Sequence, residues 1–256
     1  MESAMDAVAI IPARYGSTRF PGKPLIDLEG LPMICRVVRR VRKARLVSRV
    51  IVATDDERIA DAVLQDGGEA VLTPSDLPSG SDRVFYASRN IDCGILANVQ
   101  GDEPLIDPRQ VDQAVRLLLD DGRAEVGTLV RKMTDPGQIQ NPNVVKVVLD
   151  TDGRALYFSR SPIPFLRDCV PGVPCTETHT YFSHIGLYVY RKSFLKRYVK
   201  WKQTPLEKAE RLEQLRILEN GTAIKTAATE FESVCVDTPG DAEKVRSLIR
   251  SGKYTD

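Results

Sequence analysis

The chain has 256 residues, of which 42% are hydrophobic, so it can form a sizeable core and is not an intrinsically disordered protein. Its 36 lysines and arginines nearly balance 35 aspartates and glutamates, and the formal charge of +1 gives no overall field for nucleic acid or an anionic membrane. The five cysteines are scattered without a C-x-x-C pair, which argues against a disulfide framework or a zinc site and favours the cytoplasm. We expect no signal peptide, because the first six residues carry two acids and no basic residue and the apolar run after them is short. We expect no membrane insertion, because no apolar run approaches ~18 residues.

Short apolar strands alternate with amphipathic helices in the first half of the chain. Strands are predicted at about residues 8–11, 50–54, 70–72 and 95–100. Helices are predicted over about residues 32–44, around residues 59–63 and from Asp107, which is expected to cap a helix with Pro108 at its first position. This alternation predicts an α/β fold with a mostly parallel sheet covered by helices on both faces.

The second half is richer in strands. Residues 144–149 and 155–159 flank a D-T-D-G turn, which predicts a β-hairpin. The remaining predicted elements are a proline-rich loop, a strand over residues 181–190, a helix from a Thr204 capping box to about Gly221, a strand near residues 223–229 and a helix from Pro239. Because no repeat or linker is found, we expect one domain over residues 1–256 with a β-rich insertion at about 134–200.

The loop after the first strand, residues 12–24, carries three cations: Arg14, Arg19 and Lys23. In an open α/β sheet, ligands bind at the carboxyl ends of strands, which is where this loop lies. Its two glycines allow main-chain N–H groups to approach an anion, and arginine and lysine together suit a polyphosphate. The Walker A pattern is absent, since Lys23 is followed by proline. The alternative interpretation is a solvated basic loop.

Two aspartates are candidate metal ligands. Asp102 lies in a Q-G-D-E-P segment at the end of the fourth predicted strand, where it can hold Mg²⁺ through carboxylate oxygens, or else form a turn. Asp237 lies one residue before a T-P-G-D capping pattern and is either a second metal ligand beside Asp102 or the helix cap itself.

Two further segments have a functional and a structural interpretation. The helix start at Ser79, Gly80 and Arg83 offers N–H groups and a guanidinium to a base or phosphate, or is an ordinary capped helix. In the predicted strand over residues 181–190, His184 and Tyr188 share a face on either side of a glycine. That gap suits a hydroxylated ligand, although His184 is equally interpreted as a structural histidine.

Taken together, these motifs resemble the 3-deoxy-manno-octulosonate cytidylyltransferase (CMP-Kdo synthetase) family. The resemblance covers almost the whole chain and is carried, in order and spacing, by residues 10–25, 52–55, 80–83, 98–104, 155–160, 184–188, 212–216 and 236–239. It implies a three-layer nucleotidyltransferase-type α/β sandwich, like that of nucleotide-diphospho-sugar transferases, and usually a homodimer.

The activity implied by the resemblance is transfer of CMP from CTP to 3-deoxy-manno-octulosonate (Kdo), with Mg²⁺, for lipopolysaccharide biosynthesis. The implied catalytic residues are Lys23, Asp102 and Asp237, of which the two aspartates are the implied Mg²⁺ ligands. The implied CTP-binding residues are Arg14, Arg19, Lys23, Ser79, Gly80 and Arg83. The implied sugar-binding residues are Gln100, Arg160, His184, Tyr188, Glu213 and Gln214.

Several alternatives stay open at the level of sequence. Residues 169–180 are unlike the usual forms of the family and are expected to border the sugar pocket or a dimer contact, so 8-amino-3,8-dideoxy-octulosonate is an alternative substrate. Another sugar nucleotidyltransferase would share the cationic loop but lack the sugar-binding set. A glycosyltransferase would carry a D-x-D-like acid pair, and an inactive nucleotide sensor should lack one of the two metal ligands.

Overall fold

A nine-stranded sheet organises the computed structural model, which describes residues 6–16, 20–167 and 175–254. The strands are β1 Ala7–Ala13, β2 Arg49–Thr54, β3 Glu69–Leu72, β4 Ile95–Asn98, β5 Val126–Lys132, β6 Lys146–Leu149, β7 Ala155–Ser159, β8 Phe182–Arg191 and β9 Ile224–Ala228. Seven of them form the path β3-β2-β1-β4-β8-β5-β9, in which β8 alone runs antiparallel to its neighbours. The prediction of a mostly parallel sheet is therefore confirmed.

Helices cover both faces of this sheet. They are α1 Met33–Val41, α2 Glu57–Gln65, α3 Gly80–Ala87, α4 Pro108–Leu119, α5 Pro136–Gln140, α6 Cys175–Thr178, α7 Lys192–Tyr198, α8 Pro205–Glu210, α9 Gln214–Glu219 and α10 Pro239–Arg250, with a 3₁₀ turn at Lys23–Leu25. Asp107 caps α4 as predicted, and Gln110 completes a capping box. Across the described ranges, no helix has the length and apolar character that crossing a membrane requires.

Alternate residues of β1 enter two different cores, which makes the fold three-layered. Ala9 and Ile11 belong to the cluster that contains residues of α1 and α4, whereas Val8 and Ile10 belong to the cluster that contains residues of α3 and α7. This is the two-residue periodicity of a strand that is buried on both sides. The layered sandwich predicted from the sequence is confirmed.

The predicted hairpin is present as β6 and β7, which pair antiparallel. Strand β6 also pairs with β8, so the hairpin extends the central sheet. The 134–200 segment thus contributes both the hairpin and β8, a strand of the central path. The division into one domain with an insertion stays a prediction.

The single helix predicted from Thr204 to Gly221 is wrong, because the structure divides it into α8 and α9. The Thr204 capping box with Glu207 is present, but Arg211 adopts a left-handed conformation (φ 53°) and ends α8. The Glu207 carboxylate accepts hydrogen bonds of 2.8 and 2.6 Å from the Arg216 guanidinium. In a continuous helix, these residues would be about 13 Å apart along the axis, so their buried ion pair requires the chain to turn back.

The buried ion pair of Arg216 and Glu207 is expected to contribute to the stability of the fold. Arg216→Met should lower the free energy of unfolding by about 3–5 kcal/mol, because the buried Glu207 carboxylate loses its guanidinium partner. Arg49→Met is the control, since the Arg49–Glu69 pair is largely exposed and its loss should cost at most about 1 kcal/mol. Urea unfolding measures both. Equal shifts of the two midpoints would contradict the importance of the buried pair.

Candidate active site

Three segments meet at the carboxyl ends of β1 and β4, which lie side by side as parallel strands. The loop after β1 carries Lys23, the segment after β4 carries Asp102, and Asp237 precedes α10. The Nζ of Lys23 lies 2.8 Å from Oδ2 of Asp102 and 3.3 Å from Oδ1 of Asp237. The structure therefore brings together the three residues that the sequence singled out as catalytic.

Lys23 is a charged group between two acids. Burial lowers the pKa of Lys23, but the charge and hydrogen bond of Asp102 and the charge of Asp237 outweigh that effect and raise it above its ordinary value. One ligand atom each from Asp102, Asp237 and Cys235 all lie within 4.8 Å of one another. The carboxylates of Asp102 and Asp237, which we call the acid cluster, thus stabilise a cation, and the Cys235 thiol lies beside them.

Backbone and apolar contacts hold the acids in place. The N–H of Val236 donates to the carbonyl of Asp102 at 2.9 Å, which ties the two acid segments directly. An apolar cluster beneath them takes residues from all three segments and from α10: Leu28, Met33, Leu105, Val236, Ala242 and Val245. Thr238 and Asp241 form the capping box of α10, so the helix is not capped by Asp237.

A cavity of about 230 Å³ lies over the loop after β1 and is lined by Arg14, Lys23, Gln100 and Asp102, among others. The Arg14 guanidinium donates to the carbonyl of Leu77 at 2.6 Å. A Cβ at Gly101 would lie 2.9 Å from the carbonyl oxygen of Pro12, so this close approach of two strand ends requires glycine. We call the cavity lined by Arg14, Lys23, Gln100 and Asp102 the loop cavity. Arg19, the third predicted cation, lies outside the described residues.

A second cavity, of about 480 Å³, lies on the β8 side of the same acids, and we call it the strand cavity. It shares Gln100 and Asp102 with the loop cavity. The residues of the predicted site that line it are Gly80, Gln100, Asp102, Arg160, Tyr188, Glu213, Gln214 and Asp237. Most of the predicted sugar-binding set therefore faces one space.

Sequence reasoning missed several residues that line the strand cavity: Ser81, Asn98, Glu103, Tyr190, Tyr198, Arg211 and Cys235. Spacing offers a signal for some of them. Asn98 is two residues before Gln100, and Cys235 is two residues before Asp237, so in extended chain each points to the same side as its predicted neighbour. Arg211 lies at the break between α8 and α9, which no local pattern indicated.

The strand cavity contains buried polar atoms without partners. Asn98 Oδ1 and Gln214 Nε2 have no hydrogen-bond partner among the described residues, and the two residues are only 3% and 6% exposed. An unpaired buried polar group costs about 1–3 kcal/mol. Both residues line the cavity, so a polar ligand there would meet their side chains.

Arg83 and Ser79 do not line either cavity. Arg83 is fully buried and donates to Asp55 at 3.2 Å and to the hydroxyl of Thr73, and burial lowers its pKa. Ser79 caps α3 by accepting from the N–H of Asp82. In this structure both side chains have intramolecular partners, and their role in binding a nucleotide stays a prediction.

His184 also lies behind the cavity wall. Its Nε2 is 3.2 Å from the hydroxyl oxygen of Thr128, and its ring packs edge-on against Phe158 with the centroids 5.1 Å apart. Burial lowers the pKa of His184 to about 3, so the imidazole is neutral at physiological pH. Its sugar-binding role stays a prediction.

Glu103 lines the strand cavity beside the acid cluster. Its carboxyl group is buried and accepts a hydrogen bond of 2.6 Å from the hydroxyl of Ser233. Burial raises the pKa of Glu103 to about 7; the Ser233 hydrogen bond opposes this shift, and the nearby charge of Asp102 adds to it. The residue follows Asp102 directly in the Q-G-D-E-P segment.

Comparison with known proteins identifies the family of this chain. The family model described as cytidylyltransferase matches residues 8–226, so the chain is a nucleotidyltransferase enzyme of the cytidylyltransferase class. A 3-deoxy-manno-octulosonate cytidylyltransferase of Trichlorobacter lovleyi is 51% identical over 97% of this chain and 100% of its own length. The protein of the same name from Geobacter sulfurreducens is 49% identical over 96% of this chain and 100% of its own length. The chain belongs to the 3-deoxy-manno-octulosonate cytidylyltransferase family.

Solved structures agree with this assignment. A CMP:2-keto-3-deoxy-manno-octonic acid synthetase, solved in complex with CTP, is 42% identical, with a TM-score of 0.90 over 96% of this chain and 99% of the other. A cytidylyltransferase from Leptospira borgpetersenii is 18% identical, with a TM-score of 0.64 over 98% of this chain and 89% of the other. The second likeness concerns the fold alone.

The raised pKa of Glu103 predicts that the stability of the protein depends on pH. Its pKa is raised from 4.5 to about 7 in the folded protein, so the native state binds the proton more tightly than the unfolded chain does. The contribution of the protonated Glu103 carboxyl to the free energy of unfolding is fully present below pH ~4.5. It is lost as the pH rises through ~7, a change of roughly 3 kcal/mol. Glu103→Gln should remove this decline.

The measurement is urea unfolding of both proteins at several pH values from about 4.5 to 8. The stability of Glu103→Gln relative to the unmodified chain should increase across this window. A difference that stays constant with pH would show that Glu103 keeps its ordinary pKa in the folded protein.

Proposed function

We propose that this chain transfers CMP from CTP to Kdo, forming CMP-Kdo and releasing pyrophosphate. The observation that carries the proposal is that Gln100 and Asp102 line both cavities, so ligands bound in the two spaces would meet at the acid cluster. A transfer between two substrates needs such a junction. The names of the relatives and the CTP complex of the similar synthetase support the choice of substrates.

The loop cavity is where we place the triphosphate of CTP. Arg14 and Lys23 line it, and a guanidinium and an ammonium together suit phosphate oxygens. Arg19 joins them in this proposal by its position in the same loop, and Ser79, Gly80 and Arg83 are placed near the nucleotide. Growing negative charge on the departing pyrophosphate would be stabilised by cations already in position.

Asp102 and Asp237 are the residues that we expect to hold Mg²⁺. Their carboxylate oxygens are the ligands this ion prefers, and the ammonium of Lys23 between them indicates a site suited to positive charge. The thiol of Cys235 suits softer metals, so we assign Mg²⁺ to the two carboxylates. When bound, Mg²⁺ supplies charge neutralisation of phosphate oxygens and polarisation of an attacking hydroxyl.

The strand cavity is where we place Kdo. The guanidinium of Arg160 suits its carboxylate, and the Gln214 amide, with its unpaired Nε2, suits its hydroxyl groups. Gln100, His184, Tyr188 and Glu213 complete the proposed sugar-binding set. Among these, Gln100 donates from Nε2 to the carbonyl of Gly186 at 3.2 Å, which fixes its amide beside the acid cluster.

The chemistry is an in-line displacement at phosphorus. The anomeric hydroxyl oxygen of Kdo forms a bond to the α-phosphorus, and the bond from that phosphorus to the bridging oxygen breaks. Pyrophosphate leaves with the bonding electron pair, and the hydroxyl proton is released. Because negative charge increases on the phosphate oxygens as the bond breaks, Lys23 and Arg14 bind the transition state more tightly than the ground state.

The cellular setting is the cytoplasm, in lipopolysaccharide biosynthesis, and the protein is a homodimer in this proposal. Cys35, Cys93 and Cys235 are free thiols, as in a reducing compartment. Leu156 and Phe165 are large apolar side chains that are 60% and 88% exposed in the 134–200 segment. Exposed apolar groups of this size favour that segment as the dimer contact. The Cys169–Thr180 stretch expected there includes residues 169–174, which lie outside the described ranges.

The metal assignment predicts the behaviour of Asp102→Asn. The variant keeps the side-chain shape but loses the charge, so kcat should fall at least about 100-fold, equivalent to a loss of about 3 kcal/mol of transition-state stabilisation. CTP binding, measured by calorimetry, should change by less than about threefold. Asp61→Asn, at an exposed position of α2, is the control. A near-normal kcat at saturating Mg²⁺ would remove Asp102 from the metal site.

The substrate assignment is tested by pyrophosphate release. Each of the four nucleoside triphosphates is paired with Kdo, its 8-amino analogue or sialic acid, with reactions lacking sugar acid as controls. We expect kcat/KM for CTP with Kdo to exceed every other pair by at least about tenfold, because a site that hydrogen-bonds substrate hydroxyls rejects analogues without them. Faster turnover of the 8-amino sugar would reassign the substrate, and no turnover with CTP would overturn the proposal.

A further inference from the structure

Arg160 is held by two neighbouring segments at the wall of the strand cavity. Its Nε donates to the backbone carbonyl of Glu210 at 2.8 Å, and its Nη1 donates to the carbonyl of Pro142 at 2.9 Å. The backbone N–H of Arg160 donates to Oε2 of Glu210 at 2.9 Å. Glu210 thus contacts Arg160 through both its carboxylate and its own backbone, although it does not line the cavity.

The remaining contacts fix the end of β7. The other carboxylate oxygen of Glu210 accepts from the hydroxyl of Ser159 at 2.6 Å, and that hydroxyl accepts from the N–H of Ser161 at 3.0 Å. On the opposite side, the buried Lys146 ammonium donates to the carbonyl of Arg160 at 2.6 Å. The Glu210 carboxylate therefore binds the backbone N–H of Arg160, and the Lys146 ammonium binds its backbone carbonyl.

The break between α8 and α9 explains why Glu210 is available. Helix α8 ends at Glu210, and carbonyls in the last turn of a helix lack intrahelical partners. Because Arg211 turns the chain in the left-handed conformation, the carbonyl of Glu210 can accept the guanidinium of Arg160. The same turn directs Glu213 and Gln214 to the cavity wall.

We infer that Glu210 is the positioning residue that orients the Arg160 guanidinium to receive the carboxylate of the sugar acid. The inference rests on the proposed function of Arg160. With Nε and Nη1 bonded to carbonyls, Nη2 has no hydrogen-bond partner in the described parts of the chain and can bond a ligand. Guanidinium–carboxylate recognition is directional, so a displacement of about 1 Å can cost on the order of 100-fold.

A double-mutant cycle tests this positioning role. Glu210→Ala should raise the KM for Kdo at least about tenfold while leaving the KM for CTP within about twofold. In the Arg160→Ala background, the same substitution should have little further effect, because Glu210 acts through Arg160. Glu210→Gln, which keeps one side-chain acceptor oxygen for the Ser159 hydroxyl or the Arg160 N–H, should recover most of the affinity.

Glu219→Ala is the matched control. Glu219 lies on α9 and accepts from the N–H groups of Leu206 and Glu207, so it braces the same helix pair without contacting Arg160. Its loss should lower the melting temperature without a selective change in the KM for Kdo. If Glu210→Ala does not fold, Ser159→Ala removes the Ser159–Glu210 bond and should reproduce the non-additivity with Arg160→Ala.

The outcomes separate this inference from the function on which it rests. If Arg160→Ala leaves the KM for Kdo unchanged, the proposed role of Arg160 fails, and the positioning role fails with it. If Arg160→Ala is defective but Glu210→Ala is silent, or adds its full effect in the double variant, only the positioning role of Glu210 is overturned. A parallel rise in KM for CTP and Kdo would likewise overturn it.

Discussion

The site depends on keeping the carboxylates of Asp102 and Asp237 close together. Two like charges about 4 Å apart repel by about 4 kcal/mol at an effective dielectric constant of 20. The ammonium of Lys23, hydrogen-bonded to both, offsets that repulsion without any other cation. The backbone bond from Val236 to Asp102 and the apolar cluster beneath it hold the segments against the repulsion that remains.

This charge compensation explains how two acids from distant parts of the chain can lie side by side. Parallel strands β1 and β4 place the Lys23 loop and Asp102 at one edge of the sheet, and α10 adds Asp237 through its packing against both segments. Since Asp102 lines both cavities, a single acid cluster borders both spaces. The sheet places the Lys23 loop beside Asp102, and the Lys23 ammonium offsets the repulsion between the carboxylates of Asp102 and Asp237.

Local signals were sufficient for much of this architecture. The strand ends at Lys23 and Asp102, the cap at Asp107 and the hairpin of β6 and β7 all follow from periodicity, capping and turn chemistry within a few residues. The break at Arg211 could not be predicted in this way. It is coupled to the burial of Arg216 against Glu207, a contact that depends on the surrounding fold.

Long-range contacts also decide which predicted residues reach the cavities. Arg83 follows a plausible helix-start pattern, but Asp55 and Thr73 occupy its guanidinium within the fold. Glu210 belongs to no recognisable motif, and its importance emerges only from its bonds to Ser159 and Arg160. Motifs locate groups that meet ligands more readily than the groups that hold them in place, because the latter depend on tertiary neighbours.

The unpaired polar atoms of the residues that line the strand cavity carry a cost that packing nearby can offset. Asn98 Oδ1 and Gln214 Nε2 are buried without hydrogen-bond partners among the described residues. Tyr190 and Tyr198, which line the cavity, and Phe194 stack against one another, with centroids 6.0–6.4 Å apart. Each aromatic pair contributes about 0.5–1.5 kcal/mol beyond its buried area, comparable to the cost of one unpaired polar atom. The aromatic stack therefore offsets part of the cost of the unpaired polar atoms near the cavity wall.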